Sequence, residues 1–118
     1  MGRLTTHVLD TAQGVPAAGI VIELWRLDEG EHRVPLRVVR TNPDGRTDLP
    51  LLEGEALTVG IYELVFGVAD YFARQPVTTS NPPFLGRVPV RFGIADPAAH
   101  YHVPLLVSPW AYSTYRGS

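Results

Sequence analysis

The 118 residues contain no cysteine. That absence excludes a disulfide framework, a cysteine-ligated zinc site and a thiol nucleophile together, and it is compatible with a reducing compartment. A dominant charge is missing too: 10 Lys and Arg stand against 12 Asp and Glu, for a formal net charge of −2. Such a balance gives no electrostatic ground for binding nucleic acid or an anionic membrane. No apolar run reaches the ~18–20 residues of a membrane span. The opening MGRLTTHVLD has no apolar h-region, so no secretory leader is expected. Its M-G-R-L-T-T start fits the myristoylation pattern only formally, on a segment patterned like a strand. No G-x-S-x-G occurs, so no serine, Ser118 included, sits on a nucleophile elbow.

What is present points to a globular chain, with 45% hydrophobic and 19% charged residues. Its length fits one domain, residues 1–118, with a core that needs no covalent staple. Eleven glycines and eleven prolines cut it into short pieces. Residues 3–9, 19–27, 33–41, 58–66, 86–94, 100–108 and 111–117 read as strands, rich in Val, Ile, Leu, Tyr and Thr. Between them lie AQGVPAAG, DEGEH, NPDG, SNPPF, ADP and SP. In NPDG a proline pre-sets φ and a glycine closes a type I turn. Only VADYFARQ, 68–75, suits a helix, and Pro76 would stop it. The expected fold is an all-β sandwich of about eight strands with one short helix.

Period-two alternation then assigns faces. In HYHVPLLVS, Tyr101, Val103, Leu105 and Val107 form a wholly apolar, core-facing set, leaving His100, His102, Pro104 and Leu106 opposite. In RLTTHVL, Leu4, Thr6 and Val8 suit the core, so Thr5, His7 and Leu9 look outward. In the last segment Ser113 and Tyr115 alternate with Tyr112, Thr114 and Arg116. An outer face that carries both histidines and leucines is too apolar for open solvent. It reads as a packing surface between identical subunits.

His32 lies in a charged hairpin and reads as a solvated residue. His100 and His102 form an H-x-H pair, a spacing that metal sites use. Zinc would still need a third ligand, which His7 could supply, and the pair alone does not define a metal centre. Arg46 follows the NPDG turn between two aspartates. It is either a solvated surface charge or a planar fork for a carbonyl-rich or anionic ligand.

Three motifs carry a resemblance: LTTHVLDTAQGVPAAG, TNPDGRTD and HYHVPLLVSPWAYSTYRGS. With them the chain resembles, from Leu4 to Ser118, the transthyretin-related family, and in particular its members that hydrolyse 5-hydroxyisourate in urate (purine) degradation. The closing Tyr115-Arg116-Gly117-Ser118 is the most specific of the matches, and transthyretin itself, a hormone carrier, lacks it and the histidines. The resemblance implies a β-sandwich assembled as a homotetramer, with the active sites in the channel between dimers. It implies a cytoplasmic enzyme with no cofactor and no metal. It places function on His7, Arg46, His102 and Ser118 as catalytic residues, with Ser113, Tyr115, Arg116 and Gly117 around the substrate.

Hydrolysis of a cyclic amide needs an activated water, a place for the oxyanion and a proton for the leaving nitrogen. Histidine suits both proton transfers, since its unperturbed pKa of ~6.5 lies near working pH. One of His7 and His102 would handle the water and the other support proton transfer, with His102 the preferred base. Arg46 would hold substrate carbonyls and the developing negative charge, and Ser118 with its carboxylate would position substrate or a histidine. The product would be 2-oxo-4-hydroxy-4-carboxy-5-ureidoimidazoline. The alternatives are a transthyretin-type carrier of a small ligand without catalysis, a histidine-based metal hydrolase and a structural Ig-like module.

Overall fold

The computed structural model describes residues 1–117. Two layers of strands face each other across one apolar core. In the first layer, β1 (Arg3–Thr5) pairs in parallel with β9 (His100–His102), and β2 (Val8–Asp10) pairs in parallel with β10 (Leu105–Val107). The short strands β6 (Leu52–Glu53), β3 (Val15–Pro16) and β11 (Tyr112–Thr114) extend this layer antiparallel to β1, β2 and β10. The second layer is an antiparallel sheet in the order β5 (Arg33–Arg40), β4 (Val21–Leu27), β7 (Gly60–Gly67), β8 (Arg87–Ile94).

The core is made by the expected faces. Leu4, Val8, Tyr101, Val103, Leu105 and Val107 are buried against Ile22, Leu24, Leu64 and Phe66 of the second layer. Thr6 joins them, 2% exposed. The expected helix shortens to α1 (Val68–Ala73), which buries Val68, Tyr71 and Phe72. Tyr71 donates to Asp10 Oδ2 at 2.8 Å, which ties α1 to the end of β2. Burial and that carboxylate together push the Tyr71 phenol well above its ordinary pKa.

Two expected strands, 3–9 and 100–108, each come out as a pair of shorter ones. The chain does not change register at the break. Val103 N–H donates to Thr5 O and Leu105 N–H to His7 O, both at 2.9 Å, so the parallel ladder runs across it. The buried carbonyl of Val103 is taken by the Thr6 hydroxyl at 2.7 Å. A side chain here does the work of a backbone rung. The expected strand 111–117 shortens to Tyr112–Thr114 for a related reason. Its register leads Tyr115 to Pro104, which has no N–H to give, and the Pro104 carbonyl is engaged by Thr114 Oγ1 at 2.7 Å. Pairing resumes at Gly117, whose N–H donates to His102 O at 2.7 Å. The remaining short strands, at 15–16 and 52–53, are too brief to leave a two-residue period.

The outer faces of the two layers differ. On the second layer Arg87 pairs with Glu23, and Arg91 and Arg33 both reach Glu63. On the first layer Leu9, Leu106 and Ser113 stand side by side in register, with no charge among them.

Thr6→Val tests the stitch across the break. The variant keeps the shape but strands a buried carbonyl, which costs about 1–3 kcal/mol. Chemical denaturation should show that loss, with the slope unchanged.

Candidate active site

Parallel pairing sets Arg3 opposite His100 and Thr5 opposite His102. His7 is two residues beyond Thr5, so all five side chains fall on the outer face of the first layer. That face is one wall of a cavity of about 470 Å³, lined by Arg3, Thr5, His100 and His102 from the strands and by Arg46, Asp48 and Pro50 from the loop opposite.

The loop is built by its own sequence. Asn42 Oδ1 accepts from Asp44 N–H at 2.9 Å and from Arg46 N–H at 3.2 Å, and Gly45 N–H closes the turn on Asn42 O at 2.9 Å. Gly45 has φ +74°, which glycine adopts freely, and a Cβ there would run into the Val8 carbonyl. The turn is moored to the first layer twice. Val8 N–H donates to Gly45 O at 2.8 Å, and His7 Nε2 lies 2.9 Å from Asp44 O. Because a carbonyl only accepts, His7 carries its proton on Nε2. His7 therefore holds the turn that presents Arg46.

His102 has the most specific surroundings. Its Nδ1 lies 2.9 Å from Thr5 Oγ1, and the same hydroxyl lies 2.9 Å from His100 Nε2. Gly117 packs against the other edge of the ring: a Cβ at that position would sit 2.7 Å from His102 Cδ2 and 3.2 Å from Cγ. Only a glycine fits there without moving the ring. Burial is the main force on the His102 pKa, and it lowers it. The Arg46 guanidinium, His100 and His7 add repulsion in the same direction. The imidazole is therefore neutral at neutral pH, with a lone pair available for a proton.

Of the residues named from sequence, the structure gathers Arg46 and His102 at the cavity, with Gly117 packed on the His102 ring and His7 behind the Arg46 turn. Ser113 is exposed beside Leu106, outside the cavity lining. Tyr115 and Arg116 are not in the cavity either. They line a separate apolar cleft with Phe92, Tyr101 and Val103, and the Arg116 guanidinium stacks 4.2 Å from the centre of the Tyr101 ring. Alternation set Tyr115 on the face of the histidines, but in the structure it does not line their cavity. Ser118 lies outside the described residues. Among the described residues no three His, Asp or Glu side chains converge into a metal-binding group, because His7 turns to Asp44 and the H-x-H pair turns to Thr5.

Sequence reasoning missed Arg3 as a cavity residue, and it set Thr5 and His100 on the outer face without giving either a role. The two-residue spacing of Arg3, Thr5 and His7 was visible, but the parallel partner of that strand was not.

A two-layer β-sandwich with a short helix after its seventh strand is a fold of transthyretin type. The chain belongs to the HIUase/Transthyretin family, whose model matches residues 4–117. It is 60% identical over 118 residues, the whole of both chains, to the 5-hydroxyisourate hydrolase of Ralstonia nicotianae. Among solved structures it is similar to the Klebsiella pneumoniae 5-hydroxyisourate hydrolase, with TM-score 0.80, 35% identity and complete coverage of both chains. It is also similar to an (S)-allantoin synthase, with TM-score 0.94 and 51% identity, covering 99% of this chain but 44% of that longer one.

The His102 environment makes a measurable claim. In proton NMR its ring should titrate below the ordinary imidazole value of ~6.5, and Arg46→Met should move the midpoint upward. The sign for stability follows. Between the depressed folded pKa and the unfolded one the unfolded chain binds more protons, so this contribution to stability falls as pH drops through that window.

Proposed function

We propose that this protein catalyses hydrolysis of 5-hydroxyisourate to 2-oxo-4-hydroxy-4-carboxy-5-ureidoimidazoline, a step of urate (purine) degradation. The observation that carries the reading is a neutral, half-buried His102 facing a cavity that also holds two guanidinium groups, Arg3 and Arg46. The 60% identity over the full length of the Ralstonia nicotianae hydrolase supports it.

The chemistry assigns roles. His102 is the general base: it takes a proton from the water that adds to the cyclic amide carbonyl. The tetrahedral oxyanion so formed lies against a guanidinium fork, which strengthens its hold as charge develops. Collapse breaks the ring C–N bond, the imidazolium returns its proton to the leaving nitrogen, and a carboxylate and a ureido group remain. Arg46 is the charge-stabilising fork, because its turn is moored to the first layer at Asp44 and Gly45, and Arg3 binds the far edge of the polar substrate. His7 holds the Arg46 turn, and Gly117 leaves room for the His102 ring. Ser118 belongs to the same site in this reading, through its position next to Gly117 in the chain.

The chain works as one hydrolase domain, 1–118, in a homotetramer whose first-layer outer faces enclose a central channel. One core cluster that draws on both layers and the uncharged Leu9–Leu106–Ser113 stripe support that assembly. In a channel of this kind Ser113, Tyr115 and Arg116 would border the site from their exposed positions. No described helix is long and apolar enough to cross a membrane. A cytoplasmic setting is part of the same proposal and rests on the purine-degradation reading alone.

Steady-state kinetics against pH test the base. kcat/KM should fall on the acid side with an apparent pKa below ~6.5, because His102 must be neutral to accept a proton. His102→Asn should lower kcat by about 10²–10⁴-fold and abolish that acid limb. Near-normal turnover in a folded His102→Asn variant would remove His102 from the chemistry.

A further inference from the structure

The Thr5 hydroxyl stands 2.9 Å from two imidazoles at once, His100 Nε2 and His102 Nδ1. A hydroxyl has one proton and two lone pairs, and among the described residues the two rings are the only hydrogen-bond partners of Thr5 Oγ1, so its proton goes to one ring and it accepts from the other. Two arrangements are open. Either His102 Nδ1–H donates to Thr5 and Thr5 donates to an unprotonated His100 Nε2, or the chain of bonds runs the opposite way.

The two have opposite consequences. In the first, His102 keeps its proton on Nδ1 and turns a bare Nε2 outward. In the second, Thr5 donates to His102 Nδ1, the proton of the neutral ring sits on Nε2, and no lone pair remains for a water. Only the first is compatible with His102 as a base. The charges sharing the cavity act in the same direction: with Arg3 and Arg46 lining it alongside Asp48, a lone pair facing the guanidinium groups is better placed than an N–H.

We infer that Thr5 is a positioning residue that sets the tautomer of His102, and that His100 is the acceptor that makes this setting unique. The inference rests on the reading of His102 as the base. His100 touches no reacting atom in this scheme. Its part is to occupy the single proton of Thr5, so that Thr5 can only accept from His102. The strand pairing makes the link possible, since Thr5 and His102 are register partners and His100 lies one side chain along the same face, with its ring centre 6.4 Å from that of His102. Neither ring could reach the other directly with such a separation, and the threonine bridges them.

The test separates a hydroxyl from a shape. Thr5→Val keeps the branched outline and removes the bridge, whereas Thr5→Ser keeps the hydroxyl. His100→Leu removes the acceptor and leaves Thr5 in place. Nitrogen-15 NMR of the histidine rings, recorded on the whole protein without substrate, reads the tautomer directly. Wild type and Thr5→Ser should show His102 protonated on Nδ1, and Thr5→Val and His100→Leu should show it shifted toward the Nε2–H form. In kinetics, Thr5→Val should lower kcat by about 10²-fold with KM little changed, and Thr5→Ser should recover most of it. A His102 ring that is Nε2–H in wild type, or that keeps its tautomer in both Thr5→Val and His100→Leu, overturns the inference. So does a Thr5→Ser variant as impaired as Thr5→Val. Should Thr5→Val fail to fold, His100→Leu and Thr5→Ser decide the matter. A wild-type protein that leaves 5-hydroxyisourate untouched would instead overturn the functional reading, and the ring tautomer would still be measured.

Discussion

Everything at the site depends on the parallel ladder between the first ten residues and the segment from His100 to Val107. It joins residues 97 positions apart, so its formation closes nearly the whole chain into one loop. Closing so long a loop is costly in chain entropy, and the return comes from the buried row beneath it: Leu4, Val8, Tyr101, Val103, Leu105 and Val107. The same pairing that buries these side chains lifts Arg3, Thr5, His7, His100 and His102 onto the opposite face. Core and cavity are two sides of one register, and a slip by one residue would exchange them.

The second constraint is the turn from Asn42 to Arg46. Alone, its arginine would be a mobile surface charge. Moored through Gly45 to Val8 and through Asp44 to His7, the turn brings that cation to the cavity that the histidine pair lines. A cation there has two effects that agree. It adds to burial in lowering the His102 pKa, and in the proposed reaction it would offer charge to an oxyanion that forms only then. The cavity is thus prepared for negative charge before any substrate enters, at the cost of placing like charges together. A two-layer core of large, well-buried side chains can tolerate that cost.

Much of this was legible in the sequence, and the limits are physical ones. Alternation placed Tyr101, Val103, Leu105 and Val107 inward and His7 and His102 outward, because side-chain direction along a strand needs no knowledge of partners. The NPDG turn was legible because its geometry is local. The outward direction of Thr5 and His100 was legible too, but their roles and that of Arg3 were not, since these come from which strand lies alongside, and that is settled by contacts nearly a hundred residues apart. Tyr115 was legible only in part. Alternation gives the face of a residue and not the cleft it lines, and Tyr115 falls in the cleft with Phe92 and Tyr101. His7 and His102 looked equivalent as residues and differ only in what they touch, a backbone carbonyl for one and a threonine hydroxyl for the other.

The central claim is that this cavity speeds the opening of 5-hydroxyisourate by water. The most direct measurement follows the absorbance of freshly generated 5-hydroxyisourate with the purified protein at a small fraction of the substrate concentration. The account predicts decay many times faster than in buffer alone, in proportion to the amount of protein. Decay at the buffer rate, from protein shown to be folded, would contradict it.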